Sequence, residues 1–259
     1  MGKNKDYIDI TEIAGSEVTT EQLERLCHRY YWAGKYSNGN DVVEVACGTG
    51  QGLGYLQTVS KSIEGADISD KILDIAKRHY KGRVQLRQFD VQEMPYGNAT
   101  KDVVLLFEAI YYIPNAEKFI RECKRILRPN GKVLIVTANK DLYDFNPSSY
   151  SYNYYGVVEL VDLFSRYGFK PNCFGYMPVE SASLRQKLLR PIKKTVVSLG
   201  LMPKTMKGKK LLKRLVFGKM VKMPDEITEK MINYEAPVSL QHDRPNHSYK
   251  VIYCVAERS

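Results

Sequence analysis

The chain has 259 residues, of which 44% are hydrophobic and 26% charged, and its formal net charge at pH 7 is +10. These values are typical of one globular domain with an elaboration and exclude a disordered tail protein. The longest apolar run, residues 103–107, is far shorter than the roughly 20 residues of a membrane span, and no apolar signal sequence is visible at the start. Five scattered cysteines without paired spacing predict a cytoplasmic protein with neither a disulfide framework nor a metal site.

Strand and helix patterns alternate along the chain after a first helix predicted for residues 21–35. Seven strands are predicted, over residues 41–46, 62–67, 84–89, 102–107, 132–137, 169–176 and 249–256. One helix is predicted to follow the glycine-rich turn and to end at residue 56. Three further helices are predicted over residues 70–79, 116–127 and 157–167. Strand 102–107 is apolar throughout, as expected of a central parallel strand that is covered on both faces. The alternation predicts an α/β fold with a doubly wound, Rossmann-like sheet of seven strands.

A glycine-rich turn between the first strand and the next helix is the most informative local feature. Residues 42–52 read VVEVACGTGQG, in which Gly48 and Gly50 let the backbone approach a ligand closely. Asp67 ends the next strand, 19 residues after Gly48, where an acid can accept both hydroxyl groups of a ribose. Asp90 follows the third strand at the same edge. This arrangement predicts a site for an adenosine-type ligand at the carboxyl ends of the strands.

The glycine spacing discriminates between two classes of adenosine ligand. A nicotinamide dinucleotide site prefers G-x-G-x-x-G, but Leu53 stands at the third glycine position. The observed G-x-G-x-G, Asp67, FDV at residues 89–91, DVVLLFE at 102–108 and ILRPNGKVL at 126–134 together resemble the class I S-adenosylmethionine (SAM)-dependent methyltransferases. The similarity covers residues 29–168 and the last strand. It implies a mostly parallel sheet whose last strand is antiparallel, and SAM as cofactor with S-adenosylhomocysteine as product.

The resemblance also implies a role for individual residues. It assigns the methionine end of SAM to Glu44, Ala46, Cys47, Gly48, Thr49 and Gly50, the ribose to Asp67 and Ile68, the adenine to Asp90 and Val91, and the methyl side to Phe107 and Glu108. Tyr30 lies in a segment that in this family commonly folds over the cofactor. Ala46 departs from the family, which often has its first glycine there, but alanine is small enough for binding to survive. Ordinary roles for Glu44 as a strand-end acid and for Asp67 and Asp90 as turn formers stay open.

Four residues are candidates for aligning or deprotonating an acceptor. Glu108 and Tyr112 follow the fourth strand, His28 precedes the segment expected over the cofactor, and His247 stands just before the last strand. An alcohol acceptor gains from a general base or a hydrogen-bonded carboxylate near the methyl group. No spacing fixes either histidine, so structural roles for both and a packing role for Tyr112 stay open. Residues 139–155 add six aromatic side chains that could stack on a sugar or simply pack the loop.

The positive charge is concentrated in residues 185–222, which contain 13 Lys or Arg and no Asp or Glu. Leucine and other aliphatic residues recur every third or fourth position there, which predicts amphipathic helices with basic faces. We expect three parts: an N-terminal helical segment (1–40) over the cofactor site, a SAM-binding core (41–176 and 247–259), and a basic helical cap (177–246). The cap fits an anionic acceptor or an anionic membrane surface. It contains few aromatic residues, which disfavours nucleic acid, and a solvated basic face is the alternative.

Three functions follow from these features. The first is an O-methyltransferase of a glycan, nucleotide-sugar or lipid-linked sugar, cytoplasmic or peripheral on the inner face of a membrane; residues 202–210 are similar to methyltransferases associated with cell-envelope polysaccharide pathways. The second is an N- or O-methyltransferase of a soluble metabolite or natural product. The third is a non-catalytic protein of this fold that binds anionic lipid or RNA.

Overall fold

The architecture is that of a computed structural model, which describes residues 11–179 and 220–259. The strands are β1 (Glu17–Thr19), β2 (Asp41–Val45), β3 (Ser62–Asp67), β4 (Gln85–Gln88), β5 (Lys101–Phe107), β6 (Leu127–Ala138), β7 (Phe169–Pro178), β8 (Met220–Lys222), β9 (Val238–Ser239) and β10 (Tyr249–Arg258). The helices are α1 (Thr20–Ser37), α2 (Leu53–Val59), α3 (Asp70–Tyr80), α4 (Ala116–Ile126) and α5 (Val157–Arg166), with a 3₁₀ helix at Ile110–Tyr112.

One large sheet has the strand order β4-β3-β2-β5-β6-β10-β7-β9. Its first five strands are parallel, and β10 lies antiparallel between β6 and β7. This confirms the predicted doubly wound α/β fold and its antiparallel last strand. The short β9 adds an eighth strand at one edge, and β1 pairs with β8 in a separate two-stranded sheet. The strand order reverses between β2 and β5, which is where open α/β sheets bind their ligands.

Alternating apolar residues of the central strands build one core on each face of the sheet. On β5, Val104 and Leu106 belong to the core that contains Phe119 of α4. Val103 and Leu105 belong to the opposite core, which contains Leu26 of α1. Because successive side chains of a strand point to opposite faces, a strand buried on both sides must be apolar at every position. The unbroken apolar run of β5 therefore fixes it at the centre.

Residues 223–235, called the strap below, follow β8 and pack across α1 and the turn before α2. Met223 and Ile227 are buried in the core of that face. Most of the predicted basic helical segment (185–222) and much of the predicted cap (177–246) fall on residues 180–219, which lie outside the described residues. The described part of the cap, from residue 220 onwards, forms β8, the strap, β9 and loops. Across the two described ranges, no helix has the length and apolar character needed to cross a bilayer.

Candidate functional site

A cavity of about 980 Å³ opens at the carboxyl ends of β2, β3 and β5, between α1 and the loops that follow these strands. Its walls come from Thr11 and Glu12, from α1, from the glycine-rich turn, and from the residues after β3, β4 and β5. Its position at the reversal of strand order is the one that the fold favours for a ligand. The cavity has both polar and apolar walls, with carboxylates, two arginines and several tyrosines along it.

The turn after β2 is held open by backbone conformations that glycine adopts most easily. Gly48 and Gly50 have φ of 60° and 76°, and Ala46 has φ of 53°. The amide of Gly48 donates to Oδ2 of Asp67 across 3.0 Å, and the amide of Ser69 donates to Oδ1 across 2.9 Å. Burial raises the pKa of Asp67, against these two hydrogen bonds, which lower it. Asp67 therefore braces the turn and lies on the cavity wall at the end of β3.

Two buried residues on the cavity wall, Glu44 and Arg29, each have one polar atom without a hydrogen-bond partner. Glu44 is 2% exposed; its Oε1 accepts a hydrogen bond of 2.5 Å from the Tyr30 hydroxyl, and its Oε2 has no partner. Burial raises the pKa of Glu44 to about 7, although Tyr30 and Arg29 act in the opposite direction. The Nη2 of Arg29 lies 3.3 Å from Oε2 of Glu12, and its Nε is also buried without a partner. Buried unpaired donors and acceptors are rare in proteins. The unpaired acceptor of Glu44 and the unpaired donor of Arg29 therefore suit a ligand that carries both an ammonium and a carboxylate group.

Glu108 occupies the wall beyond the end of β5. Its backbone has φ of 52°, a conformation that bulky residues rarely adopt. Oε1 accepts from Nη2 of Arg25 across 2.5 Å, and Oε2 accepts from the Tyr111 hydroxyl across 3.1 Å. The ring of Tyr111 stacks on Tyr154 with centroids 4.3 Å apart. Tyr112 and Tyr152 line the same region, so this wall combines a carboxylate with aromatic surface.

Most residues that the sequence assigned to the cofactor meet at this cavity. Ten of the twelve line it: Tyr30, Glu44, Ala46, Cys47, Gly48, Asp67, Ile68, Asp90, Val91 and Phe107. Thr49 and Gly50 do not. The hydroxyl of Thr49 donates to the Glu12 carbonyl across 3.4 Å, and the carbonyl of Gly50 accepts from the Tyr80 hydroxyl across 2.6 Å. These two residues form hydrogen bonds that stabilise the turn, but they do not line the cavity.

The four candidates for catalysis divide into two pairs. Glu108 and Tyr112 line the cavity, and His28 and His247 do not. His28 is fully buried, with Nδ1 2.7 Å from the Tyr253 hydroxyl and Nε2 2.7 Å from the Glu235 carbonyl oxygen. Burial lowers the pKa of His28 to about 4. Nδ1 of His247 lies 2.6 Å from the Asp141 carbonyl oxygen. Both imidazoles hold neighbouring segments together, away from the site.

Sequence reasoning missed three groups of this cavity: Arg25, Arg29 and Glu12. The two arginines stand four residues apart on α1, so they occupy the same face of that helix. That spacing, beside Tyr30 one residue later, is a signal that could have identified them. Glu12 precedes β1 in a stretch without helical or strand periodicity, and the sequence carried no comparable signal for it.

Comparisons with known proteins identify relatives of the core. Residues 43–135 match the family model described as "Methyltransferase domain". A probable S-adenosylmethionine-dependent methyltransferase of Mycolicibacterium smegmatis is 29% identical over 151 residues, which are 57% of this chain and 56% of that protein. A ubiquinone biosynthesis O-methyltransferase of Rhizobium etli is 30% identical over 107 residues, which are 40% of this chain and 43% of that protein. The chain thus spans about half the length of these relatives.

A solved structure of a SAM-dependent methyltransferase from Archaeoglobus fulgidus superposes with a TM-score of 0.57. The alignment covers 91% of this chain and 94% of that one at 13% identity. At this identity the likeness establishes a common fold. It extends beyond the family match, since 91% of the chain is more than residues 43–135.

Proposed function

Because the chain belongs to the class I SAM-dependent methyltransferases, as its resemblance predicted, we propose that it transfers the methyl group of SAM to a hydroxyl group of an acceptor held beside Glu108. The observation that carries this proposal is the cavity itself. One wall has the unpaired polar atoms that an amino acid requires, and the other has a hydrogen-bonded carboxylate with aromatic surface.

The residues present fit SAM. The unpaired Oε2 of Glu44 can accept from the ammonium group of its methionine end, and the unpaired Nε of Arg29 can donate to the carboxylate. Asp67 keeps acceptor capacity for ribose hydroxyl groups, because the backbone amides from which it accepts, including those of Gly48 and Ser69, do not use all of the roughly four lone-pair sites of a carboxylate. Ile68, which is 49% exposed, offers apolar surface along the same wall.

When bound, SAM supplies an electrophilic methyl group on a sulfonium, which an acceptor displaces in line. The work of the protein is mainly to align the acceptor and exclude water. As the new C–O bond forms, the acceptor hydroxyl loses its proton, and the carboxylate of Glu108 can take it. Arg25 and Tyr111 hold that carboxylate in place with one hydrogen bond to each oxygen. Tyr112 and Tyr152 supply flat surface against which a ring can lie.

For the acceptor, we propose a glycan, nucleotide-sugar or lipid-linked sugar with an anionic group. The support is the charge of the chain: residues 185–222 carry 13 basic and no acidic residues, and the remaining 26 basic and 29 acidic residues give a net charge of −3. A segment of that charge would hold an anionic acceptor, or the anionic membrane surface that carries a lipid-linked one. Interaction with RNA or with anionic lipid alone, without catalysis, is the outcome that an acceptor screen would have to exclude.

A hydroxylated aromatic ring is a second candidate acceptor, favoured by a specific observation. The wall beside Glu108 is made of tyrosines, with Tyr111 stacked on Tyr154 and Tyr152 at the cavity edge. The Rhizobium etli relative is named for ubiquinone biosynthesis O-methylation. A soluble phenolic metabolite would use the same surface and would not need the basic segment.

Calorimetry and methyl-transfer assays test these proposals in order. SAM and S-adenosylhomocysteine should both bind the purified protein; if neither binds to a folded sample, the proposed function fails. Labelled SAM is then offered with nucleotide-sugars, with lipid-linked glycans in vesicles, and with catechols. Label in a sugar supports the first acceptor class, label in a catechol alone supports the second, and label in none contradicts methyl transfer to either.

Vesicle co-sedimentation separates the membrane proposal from the others. Vesicles of phosphatidylcholine with and without phosphatidylglycerol are compared, and Lys209, Lys210, Lys213 and Arg214 are replaced together by glutamate. Loss of binding to the anionic vesicles in that variant supports docking through the basic segment. Unchanged sedimentation would exclude it.

A further inference from the structure

An ion pair joins α1 to the end of β5 across the acceptor side of the cavity. Nη2 of Arg25 lies 2.5 Å from Oε1 of Glu108, and the two side chains are 29% and 19% exposed. Both residues line the cavity. The contact joins residues that are 83 positions apart in the sequence. It is a tertiary contact inside the site.

Arg25 stays positively charged in this arrangement. Burial lowers the pKa of Arg25, but the carboxylates of Glu108 and Glu12 outweigh it and raise the pKa above the ordinary value. Tyr111, whose pKa is raised well above its usual range by burial, keeps its proton and donates it to Oε2 of Glu108. Glu108 thus receives hydrogen bonds on both oxygens, as suits a carboxylate. Arg25 and Glu108 together present no net charge to the cavity.

We propose that Arg25 is a positioning residue that acts through Glu108: it cancels the negative charge of Glu108 and so sets the electrostatic potential where methyl transfer takes place. This inference rests on the proposed function. As the methyl group moves, positive charge leaves the donor sulfur and develops on the acceptor oxygen until Glu108 takes the proton, so the charge balance of this pair changes the energy of the transition state relative to the starting state. Arg25 also holds the carboxylate of Glu108 in place with its hydrogen bond.

The inference predicts how the cavity discriminates between cofactor analogues, with no acceptor needed. Sinefungin carries a protonated amine where SAM carries its methylated sulfonium, and S-adenosylhomocysteine carries a neutral sulfur there. The ratio of their affinities therefore reports the potential at this position. At an effective dielectric constant of about 20, an unbalanced unit charge within about 10 Å changes such a ratio by at least on the order of tenfold.

Calorimetry at pH 8 measures this ratio in wild type and variants. Arg25→Met leaves Glu108 unbalanced and should raise the preference for sinefungin on the order of tenfold. Glu108→Gln leaves Arg25 unbalanced and should lower the preference. The double variant should return to the wild-type ratio, and Arg25→Lys, which keeps the charge, should stay close to it.

A matched control separates charge from the anchoring of α1. Lys250 of β10 contacts both carboxylate oxygens of Glu21 at 3.0 Å, so this pair also ties α1 to the sheet. Neither residue lines the cavity. Lys250→Met should therefore leave the ratio unchanged, even if it weakens both ligands.

The outcomes are distinct. An unchanged ratio in Arg25→Met, or equal loss of both ligands there, would overturn the inference and leave Arg25 with a structural role only. Shifts of the same sign in Arg25→Met and Glu108→Gln would also overturn it. If the wild-type protein binds neither analogue, the proposed function fails instead.

Discussion

The hydroxyl of Tyr30 donates a hydrogen bond to one oxygen of Glu44, while the other oxygen of that carboxylate is buried with no partner. An acceptor left unpaired in an apolar region costs free energy. Burial accordingly raises the pKa of Glu44 to about 7, from an ordinary value of 4.5. Glu44 is therefore a buried carboxyl group with one unpaired oxygen that a cation would satisfy, and this relationship gives the first prediction.

The Glu44→Gln variant should become more stable relative to wild type as the pH rises from 5 to 8. Since the folded-state pKa is above the unfolded one, the native protein loses stability between about pH 4.5 and 7, where the carboxyl group ionises in the unfolded chain before it does in the folded protein. The effect is on the order of 3 kcal/mol. Urea unfolding of both ligand-free proteins at the two pH values measures it. At pH 8 the same variant should bind SAM more weakly, and a variant that gained affinity would contradict the assignment.

Asp67→Asn should weaken SAM binding by about 1.5–3 kcal/mol, since a charged acceptor of hydroxyl groups becomes a neutral amide. Calorimetry with S-adenosylhomocysteine gives the affinity. Asp74→Asn is the matched control, because the half-exposed side chain of Asp74 on α3 pairs with Lys77 and does not line the cavity. Equal affinities of the two variants would place the ribose elsewhere.

Ala46→Gly should increase the free energy of unfolding by about 1 kcal/mol. Ala46 has φ of 53°, a region in which a side chain is strained and glycine is not. Ala66→Gly provides the contrast: Ala66 is fully buried in β3 and has no positive φ, so the same change should destabilise by about 1 kcal/mol. Urea titration compares the two, and a loss of stability in both would mean that the turn carries no such strain.

Gly52→Ala should destabilise the protein by about 1–3 kcal/mol through overpacking. A Cβ at position 52 would lie 2.0 Å from Cε1 of Tyr30. That ring cannot retreat easily, because it is 2% exposed and its hydroxyl is bonded to Glu44. Gly97→Ala is the control, as the nearest atom to its added Cβ, Cγ2 of Thr100, lies 3.4 Å away. Thermal unfolding distinguishes the two, and similar melting temperatures would contradict the packing described.

His28→Gln should alter the response to acid more than it alters the affinity for SAM. The pKa of His28 is lowered to about 4 by burial, so the native protein loses stability as the pH falls from about 6.5 to 4 and the unfolded chain takes up the proton. The glutamine variant should lack this component. Unfolding at pH 7 and pH 5 measures it. Strongly reduced SAM binding at pH 7 would instead return His28 to the site.

The sequence predicted the sheet, and it predicted most of the residues that meet at the cavity, because both depend on local patterns. The apolar run of β5 and the glycines at 48 and 50 leave their mark within a few residues. The glycine-rich motif alone did not indicate that its glycines have different structural roles. Gly48 is needed for its positive φ beside the cavity, whereas Gly52 is needed because the ring of Tyr30 lies against it.

The cavity wall around Glu108 was harder to predict because tertiary contacts determine it. The pairing of Arg25 with Glu108 joins α1 to the end of β5, and no spacing in the chain indicates it. His28 stood beside the predicted cofactor segment, yet the rotation of α1 turns it towards Tyr253 and the strap. A helix periodicity gives the face that each residue shares, but only packing decides which face meets the cavity.

The strap has a consequence for what relatives of this protein can share. Its Ile227 amide donates to the Gln51 carbonyl, and its Thr228 carbonyl accepts from the hydroxyl of Tyr31. It therefore braces both the glycine-rich turn and α1, although it and α1 lie outside the region that matches the family, residues 43–135. A relative that shares residues 43–135 but has no such strap must therefore hold this turn by other contacts.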